Sequence, residues 1–192
     1  YVFDELSYDR YNVNAGRIYR LNTDLKTGGS TTQFAITAPP VGEAMVSEFP
    51  EVEKSARIAL AINMRFKKGN EVITENKAVY CDRSLFDIFT LPMLSGDPET
   101  ALKDPNAIVI SESAAKKYFN TTNVIGKTLI SVNNESSLHK ITGVIKDMPA
   151  QSHFRADFFL ALDANHSHNW MGFSFNTYIL VKPGADVKRL ES

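Results

Sequence analysis

The chain has 192 residues, enough for one large domain or two small ones, and its 43% hydrophobic and 22% charged content lies near the globular average, which points away from disorder. Its 21 basic and 22 acidic residues give a formal net charge of −1 without a single-sign block, which argues against nucleic acid as a partner. One cysteine, Cys81, excludes an intramolecular disulfide framework, and no run reaches the roughly 18–20 apolar residues that cross a bilayer.

Residues 1–12 read as the tail of a helix, with Val2, Phe3 and Leu6 at helical spacing and Gly16 in the left-handed position just past its end. The chain has no initiator Met and stops at 186–192 where a helix begins, so it reads as a piece excised from a longer protein. Residues 17–25 alternate, with Tyr19, Leu21 and Leu25 on one face of a strand; 27–30 form a glycine turn and 31–36 a return strand. Pro39-Pro40 suits a helix start, and Val41, Ala44, Met45 and Phe49 make one apolar stripe before Pro50. Residues 57–66 predict one strand with Ile58, Leu60, Ile62, Met64 and Phe66 on a shared face and Arg57, Asn63 and Arg65 on the other. Lys68-Gly69-Asn70 turns the chain into a partner strand over 71–80.

Asp82 is the expected N-cap of a short helix carrying Leu85, Phe86 and Phe89, and the polar stretch 92–105 reads as a connector. A buried strand is predicted at 107–110, and a helix at 111–119 with Ala114, Ala115, Tyr118 and Phe119 inward. Strands follow at 125–132 and 138–145, the second with Gly143 at a bulge or close approach. Met148-Pro149 ends that strand because proline offers no N–H to a ladder, and Gln151-Ser152-His153 turns the chain. The next run alternates through Phe154, Ala156, Phe158, Leu160 and Leu162; 163–170 is a polar loop, 173–181 a strand, and Pro183-Gly184 leads to the last helix. About nine strands with four or five short helices in irregular order predict an α+β fold.

Few residues suggest chemistry. Gly126-Lys127-Thr128 resembles the end of a phosphate loop, but Thr121 stands where the earlier glycine belongs and no apolar strand feeds it. His166 and His168 offer two imidazoles, yet His139, His153 and Cys81 are not at ligand-like spacing to complete a metal site. Asp147, Ser152 and His153 invite a triad, but Ser152 and His153 are adjacent and point apart on an extended chain. The carboxylates Glu51, Glu53, Glu112, Asp157 and Asp163 are scattered, without pairing for acid–base work. Glycosylation patterns at Asn120, Asn134 and Asn165 occur easily by chance. The residues alone therefore assign no catalytic, cofactor-binding or metal-binding position.

Six stretches in order carry a resemblance: ELSYDRYNVNAGRIYRL (5–21), TAPPVGEAMVSEFPEVE (37–53), CDRSLFDIFTLPMLSGDPETAL (81–102), NAIVISESAAKKYF (106–119) with VIGKTL (124–129), ITGVIKDMPAQSHFRADF (141–158) and FNTYILVKPGADVKRLE (175–191). Together they resemble the MacB-like periplasmic core domain of MacB/FtsX-type ABC transporter permeases, especially those of Bacteroidetes. The resemblance implies an α+β fold in two parts. One is a porter-like α/β sandwich near the membrane, here 1–80 with 163–192; the other is an inserted mixed α/β lobe, here 81–162. It implies no enzyme, cofactor or metal in this segment. ATP hydrolysis would belong to a separate ATPase, and the parent permease would lie in the inner membrane as a dimer. This domain would sit on the periplasmic side, coupling that hydrolysis to an export substrate or envelope protein. A periplasmic solute- or peptide-binding module is the alternative, recognised by a concave apolar site with convergent polar groups. A hydrolase built on His153 or on His166 and His168 is a third reading.

Overall fold

The computed structural model describes residues 9–133, 136–163, 169–170 and 172–190. Its strands are β1 (Ile18–Arg20), β2 (Thr23–Thr27), β3 (Ser30–Phe34), β4 (Val52–Leu60), β5 (Met64–Lys68), β6 (Glu71–Glu75), β7 (Ala78–Cys81), β8 (Met93–Gly96), β9 (Ala107–Ser111), β10 (Thr128–Val132), β11 (Ser136–Ile145), β12 (Phe158–Ala161) and β13 (Asn176–Val181). Among the described residues three α-helices interrupt them: α1 (Val41–Glu48), α2 (Leu85–Ile88) and α3 (Glu112–Phe119). The fold is α+β, as expected. Eleven strands form one mixed sheet in the order β1-β13-β4-β7-β12-β9-β11-β10-β5-β6, with β8 also on β11. The β7–β12 and β9–β11 pairs are parallel and the other ladders antiparallel. The β2–β3 hairpin stands apart as a second sheet.

The period-2 alternation of side chains sorts the central strands into two cores. Val79 and Cys81 of β7, Ala107 and Val109 of β9, and Phe159 of β12 meet Leu85, Ile88 and Phe89 of the α2 region on one face. Ala78 of β7, Ile108 and Ile110 of β9, and Phe158 and Leu160 of β12 meet Ala114, Ala115 and Tyr118 of α3 on the other. β13 divides the same way: Tyr178 and Leu180 join the first core, while Ile179 and Val181 lie under Met45 and Phe49 near α1. The apolar stripe of α1 is half-buried, and its closest approach is through Gly42, where a β-carbon would lie 3.1 Å from Ser55 Oγ.

Several elements differ from the sequence reading, each for a local reason. Ala15–Arg17 is a 3₁₀ turn, so Gly16 does not close a helix in the left-handed region. The run 17–25 divides between β1 in the large sheet and β2 in the hairpin. The expected long strand over 57–66 breaks at Asn63, whose φ of 55° reverses the chain. Ile58 therefore enters one core and Met64 and Phe66 the other, while Leu60 and Ile62 are 65% and 73% exposed. The 71–80 run likewise divides into β6 at the sheet edge and β7 near its centre. The 92–105 connector contains β8, which pairs with β11 beyond the point where β10 leaves it. Strand β12 begins only at Phe158, and the last helix is a 3₁₀ turn, Val187–Leu190. The expected helix over 1–8 lies outside the described residues.

Asp82 does not cap α2; Ser84 precedes that helix, without a side-chain cap bond. The Asp82 carboxylate instead takes a two-pronged ion pair from Arg57, with Nε and Nη2 each donating at 2.8 Å. The Arg57 backbone N–H adds a third bond at 2.8 Å, and Nη1 donates to the Pro39 carbonyl at 3.1 Å. The guanidinium lies 5.5 Å from the centre of the Phe175 ring. A planar donor fork fits a carboxylate in this way, so one side chain ties β4, the start of α2, the approach to α1 and the approach to β13.

The helix expected over 111–119 is present as α3, and Ser111 caps it, with Oγ accepting from the Ala114 N–H at 3.1 Å. Gly143 sits at a register shift of β11 against β9, and a β-carbon there would lie 3.1 Å from Val109 Cγ2. Gly96 is tighter: its φ is +94°, and a β-carbon would collide with the Thr142 carbonyl and lie 2.8 Å from Gly143 Cα.

Two outcomes follow for urea unfolding. Gly96→Ala should cost about 2–3 kcal/mol or more, because both backbone angle and neighbouring backbone oppose a β-carbon; Gly16→Ala, with nothing within 4 Å of its β-carbon, should stay within roughly 0.5 kcal/mol. Asp82→Ala should cost about 3–5 kcal/mol by stranding the buried Arg57 charge, and Arg57→Met with Asp82→Leu together should cost less than Asp82→Ala alone.

Candidate functional site

The site with the most convergent polar groups surrounds His153. The turn following Pro149 is held from within: the Ser152 hydroxyl donates to the Pro149 carbonyl at 2.8 Å. His153 Nδ1 lies 2.6 Å from Asp9 Oδ2, and Nε2 lies 2.6 Å from the Tyr178 hydroxyl. An ionised carboxylate only accepts, so Nδ1 carries the proton toward Asp9; in the neutral ring Nε2 then accepts from Tyr178. Tyr178 is 4% exposed, and burial pushes its phenol up to about 12, so it remains a donor at ordinary pH. The Asp9 backbone N–H donates to the Gln151 carbonyl at 2.9 Å, and the His153 N–H donates to Asp9 Oδ1 at 3.1 Å. Phe89, Phe154 and Tyr178 surround the imidazole, with ring centres 5.0–6.0 Å away.

A cavity of about 410 Å³ opens over this cluster, lined by Asp9, Asn12, Ile18, Arg20, Phe89, His153 and Tyr178 among others. Its inner polar groups are engaged with protein. Both ring nitrogens of His153 are paired, as above. Asn12 donates to the Asp9 carbonyl at 3.0 Å and accepts from the Thr90 N–H at 2.9 Å. The Val13 N–H in turn donates to Thr90 Oγ1 at 2.9 Å. The arrangement ties a short segment of chain to the domain body, with the Tyr178 hydroxyl on Nε2 and the Asp9 carboxylate on Nδ1.

The other positions singled out by sequence lie apart from one another. Asp147 is not near His153 as a triad would need; it accepts from the N–H and hydroxyl of Ser113 at the start of α3. Burial works to raise the Asp147 carboxyl, but these bonds outweigh it and hold the group below its usual range. At Gly126 and Lys127 the backbone N–H groups donate to Ile141 and Val124 carbonyls rather than facing an empty loop. Lys127 Nζ lies 5.3 Å from the Phe119 ring centre. Cys81 is buried, which pushes its thiol up. Glu53 pairs with Arg17 at 3.0 Å, Glu112 with Lys116, and Asp157 accepts from Ser111 Oγ at 3.0 Å. Asn120 is the left-handed cap after α3. His166, His168, Asn134 and Asn165 lie outside the described residues. Among the described residues, no group of three or more His, Cys, Asp or Glu is placed to hold a metal ion.

His139 is 7% exposed on β11, with Nε2 2.9 Å from Ser131 Oγ on β10 and no partner for Nδ1. Asp9 is the site residue that local reading missed, because 144 positions separate it from His153. The available signal was indirect: stretches 5–21, 141–158 and 175–191 each contribute one of Asp9, His153 and Tyr178.

The fold is a mixed sheet with helices on both faces, and the His153 cluster ties residue 9 to β13. The family model of the MacB-like periplasmic core domain matches residues 1–192, and the chain belongs to that family. Among solved structures, it resembles a permease-protein domain from Porphyromonas gingivalis at 26% identity and a TM-score of 0.77, covering 91% of this chain and 79% of that one. It also resembles in fold the periplasmic region of MacB from Actinobacillus actinomycetemcomitans, at 15% identity and a TM-score of 0.63, covering 96% and 80%. The extracellular domain of the ABC-type transporter YknZ from Gram-positive bacteria gives 14% identity and a TM-score of 0.60, covering 90% and 86%. No curated protein matches the chain. The family is one of transporter permease domains and not a catalytic one.

His139 yields a prediction with a definite sign. Burial lowers its pKa from the ordinary 6.5, so the unfolded chain takes up the proton first as pH falls. Its contribution to stability is intact above about 6.5 and is lost as pH falls through the lower folded value. Replacing His139 with Gln should flatten the stability–pH curve between about 6.5 and that lower value; a variant curve as steep as wild type there would contradict the assignment.

Proposed function

We propose that this chain is the non-catalytic periplasmic domain of an inner-membrane ABC transporter permease. It transmits conformational change, powered by a separate ATPase, to an export substrate or envelope partner. The observation that carries this reading is the family match across residues 1–192, supported by a sheet continuous from β1 at one edge to β6 at the other. Such a sheet moves as a body, because its central ladders open only with loss of two cores. Among the described residues no helix is long and apolar enough to cross a membrane; membrane helices and a second permease copy belong to the proposed parent.

Within this reading the chain divides into a porter-like part, 1–80 with 163–192, and an inserted lobe, 81–162. The seam runs between β7 and β12, and the β5–β6 hairpin crosses it to reach β10. A solute- or peptide-binding module is the second reading, favoured by the 410 Å³ cavity. The pairing of His153 and Asn12 with protein partners weighs against it, since a ligand would have to displace those bonds.

The test is photo-crosslinking in the native membrane with full-length permease, from probes at exposed Val72 in β6 and Leu138 in β11. The expected result is ATP-dependent capture of a defined envelope protein or export substrate, together with co-purification of an ATPase. A permease that purifies without an ATPase and captures the same products with and without ATP would overturn the reading.

A further inference from the structure

We propose that Asp9, His153 and Tyr178 form a clamp that makes the incoming chain and β13 one mechanical joint. Displacement of the chain at Asp9 would thereby enter the large sheet at β13; this rests on the transmission reading above. Asp9 precedes β1 in the chain and is joined to the domain body through His153 and Gln151. From Asp9 the connection runs through the imidazole in two bonds of 2.6 Å to Tyr178, in the middle of β13. β13 is the second strand of the sheet, laddered to β1 on one side and to β4 on the other.

Three features distinguish a clamp from an ordinary surface ion pair. First, it is redundant: the Asp9 carboxylate takes both the ring Nδ1 and the His153 backbone N–H, while the Asp9 N–H returns a bond to Gln151. Second, its far end is anchored in a core, because Tyr178 is 4% exposed and packs edge-on to Phe89 at 5.1 Å. Third, its near end is accessible, with His153 and Asp9 side chains 28% and 31% exposed. A joint that is buried at the sheet and open at the incoming chain can transmit load when closed and release the chain locally without disturbing either core. The segment beyond the clamp has a second attachment, through Asn12 and Val13 to Thr90 after α2. Release at His153 would therefore free Asp9 while leaving the 12–13 region tied.

Hydrogen exchange on this chain and distance measurement in the parent permease test the proposal together. In His153→Ala, the Asp9 amide should exchange about tenfold faster or more, the effect of losing one or two such bonds, while β9, β11 and β12 keep their protection. Asp9→Asn should retain most of the protection: Asn Oδ1 still accepts from the His153 N–H, and the ring can take the other tautomer and donate to Tyr178. Asp9→Ala should not. Should His153→Ala fail to fold, Tyr178→Phe, which removes one hydroxyl, takes its place.

In full-length permease with its ATPase, spin labels at residue 72 in the two copies would report ATP-dependent movement of the sheet. His153→Ala should abolish most of that movement while ATP hydrolysis continues, with Asp9→Asn closer to wild type. Unchanged Asp9 exchange, or wild-type movement in His153→Ala, would overturn the clamp. Absence of ATP-dependent movement in the wild-type permease would instead count against the transmission reading on which the clamp rests.

Discussion

The structure depends on four residues, Phe158–Ala161, that form β12. By hydrogen-bond order, among the described residues, this strand alone joins the ladder β1-β13-β4-β7 to the ladder beginning at β9. It pairs in parallel with β7 and antiparallel with β9, so both edges are used. Both faces are buried as well: Phe158, Phe159 and Leu160 are each at most 1% exposed. Fully burying such side chains stabilises by roughly 1.5–3 kcal/mol each, and here successive residues feed opposite cores. Strand pairing and both hydrophobic clusters therefore meet in one short segment, which cannot open at one ladder without uncovering the other.

The Arg57–Asp82 pair complements that junction on the β4–β7 side. β12 fixes the order of strands, whereas Arg57 fixes how the helical connections lie on them, through Asp82, Pro39 and Phe175. Replacing a polar pair of this kind with well-packed apolar groups often costs little, so its value lies in specifying one arrangement of the loops as well as in stability. The proposed clamp lies on the same side of the sheet order, two strands from β7. A load entering at β13 would reach β12 through β4 and β7.

Much of this architecture is legible from local sequence because burial on two faces leaves a plain pattern. The short apolar run at 107–110, the helix over 111–119 and the glycine at 143 each depend on neighbours a few residues away. The misreadings arise where that locality ends. Asn63 in a left-handed conformation interrupts an alternation that otherwise continues across it, so Leu60 and Met64 look like one face yet lie on opposite sides of a turn. Asp82 has the composition and position of a helix cap, but a guanidinium from β4 offers its carboxylate stronger bonds than the first helical N–H groups can. The His153 cluster was legible only as three unconnected pieces: its bonds span 144 and 25 positions. No periodicity encodes such a contact; the path of the sheet brings its members together.

With both edges and both faces of β12 engaged, the large sheet is expected to open as one unit. The most direct test is native-state hydrogen exchange of the β12 backbone amides against those of β4 and β11 across a denaturant series. The account predicts that all three exchange only through global unfolding, with one common free energy. Exchange of β12 at a lower free energy, with β4 or β11 still protected, would mean that the sheet opens locally at β12, and would contradict a sheet that opens as one unit.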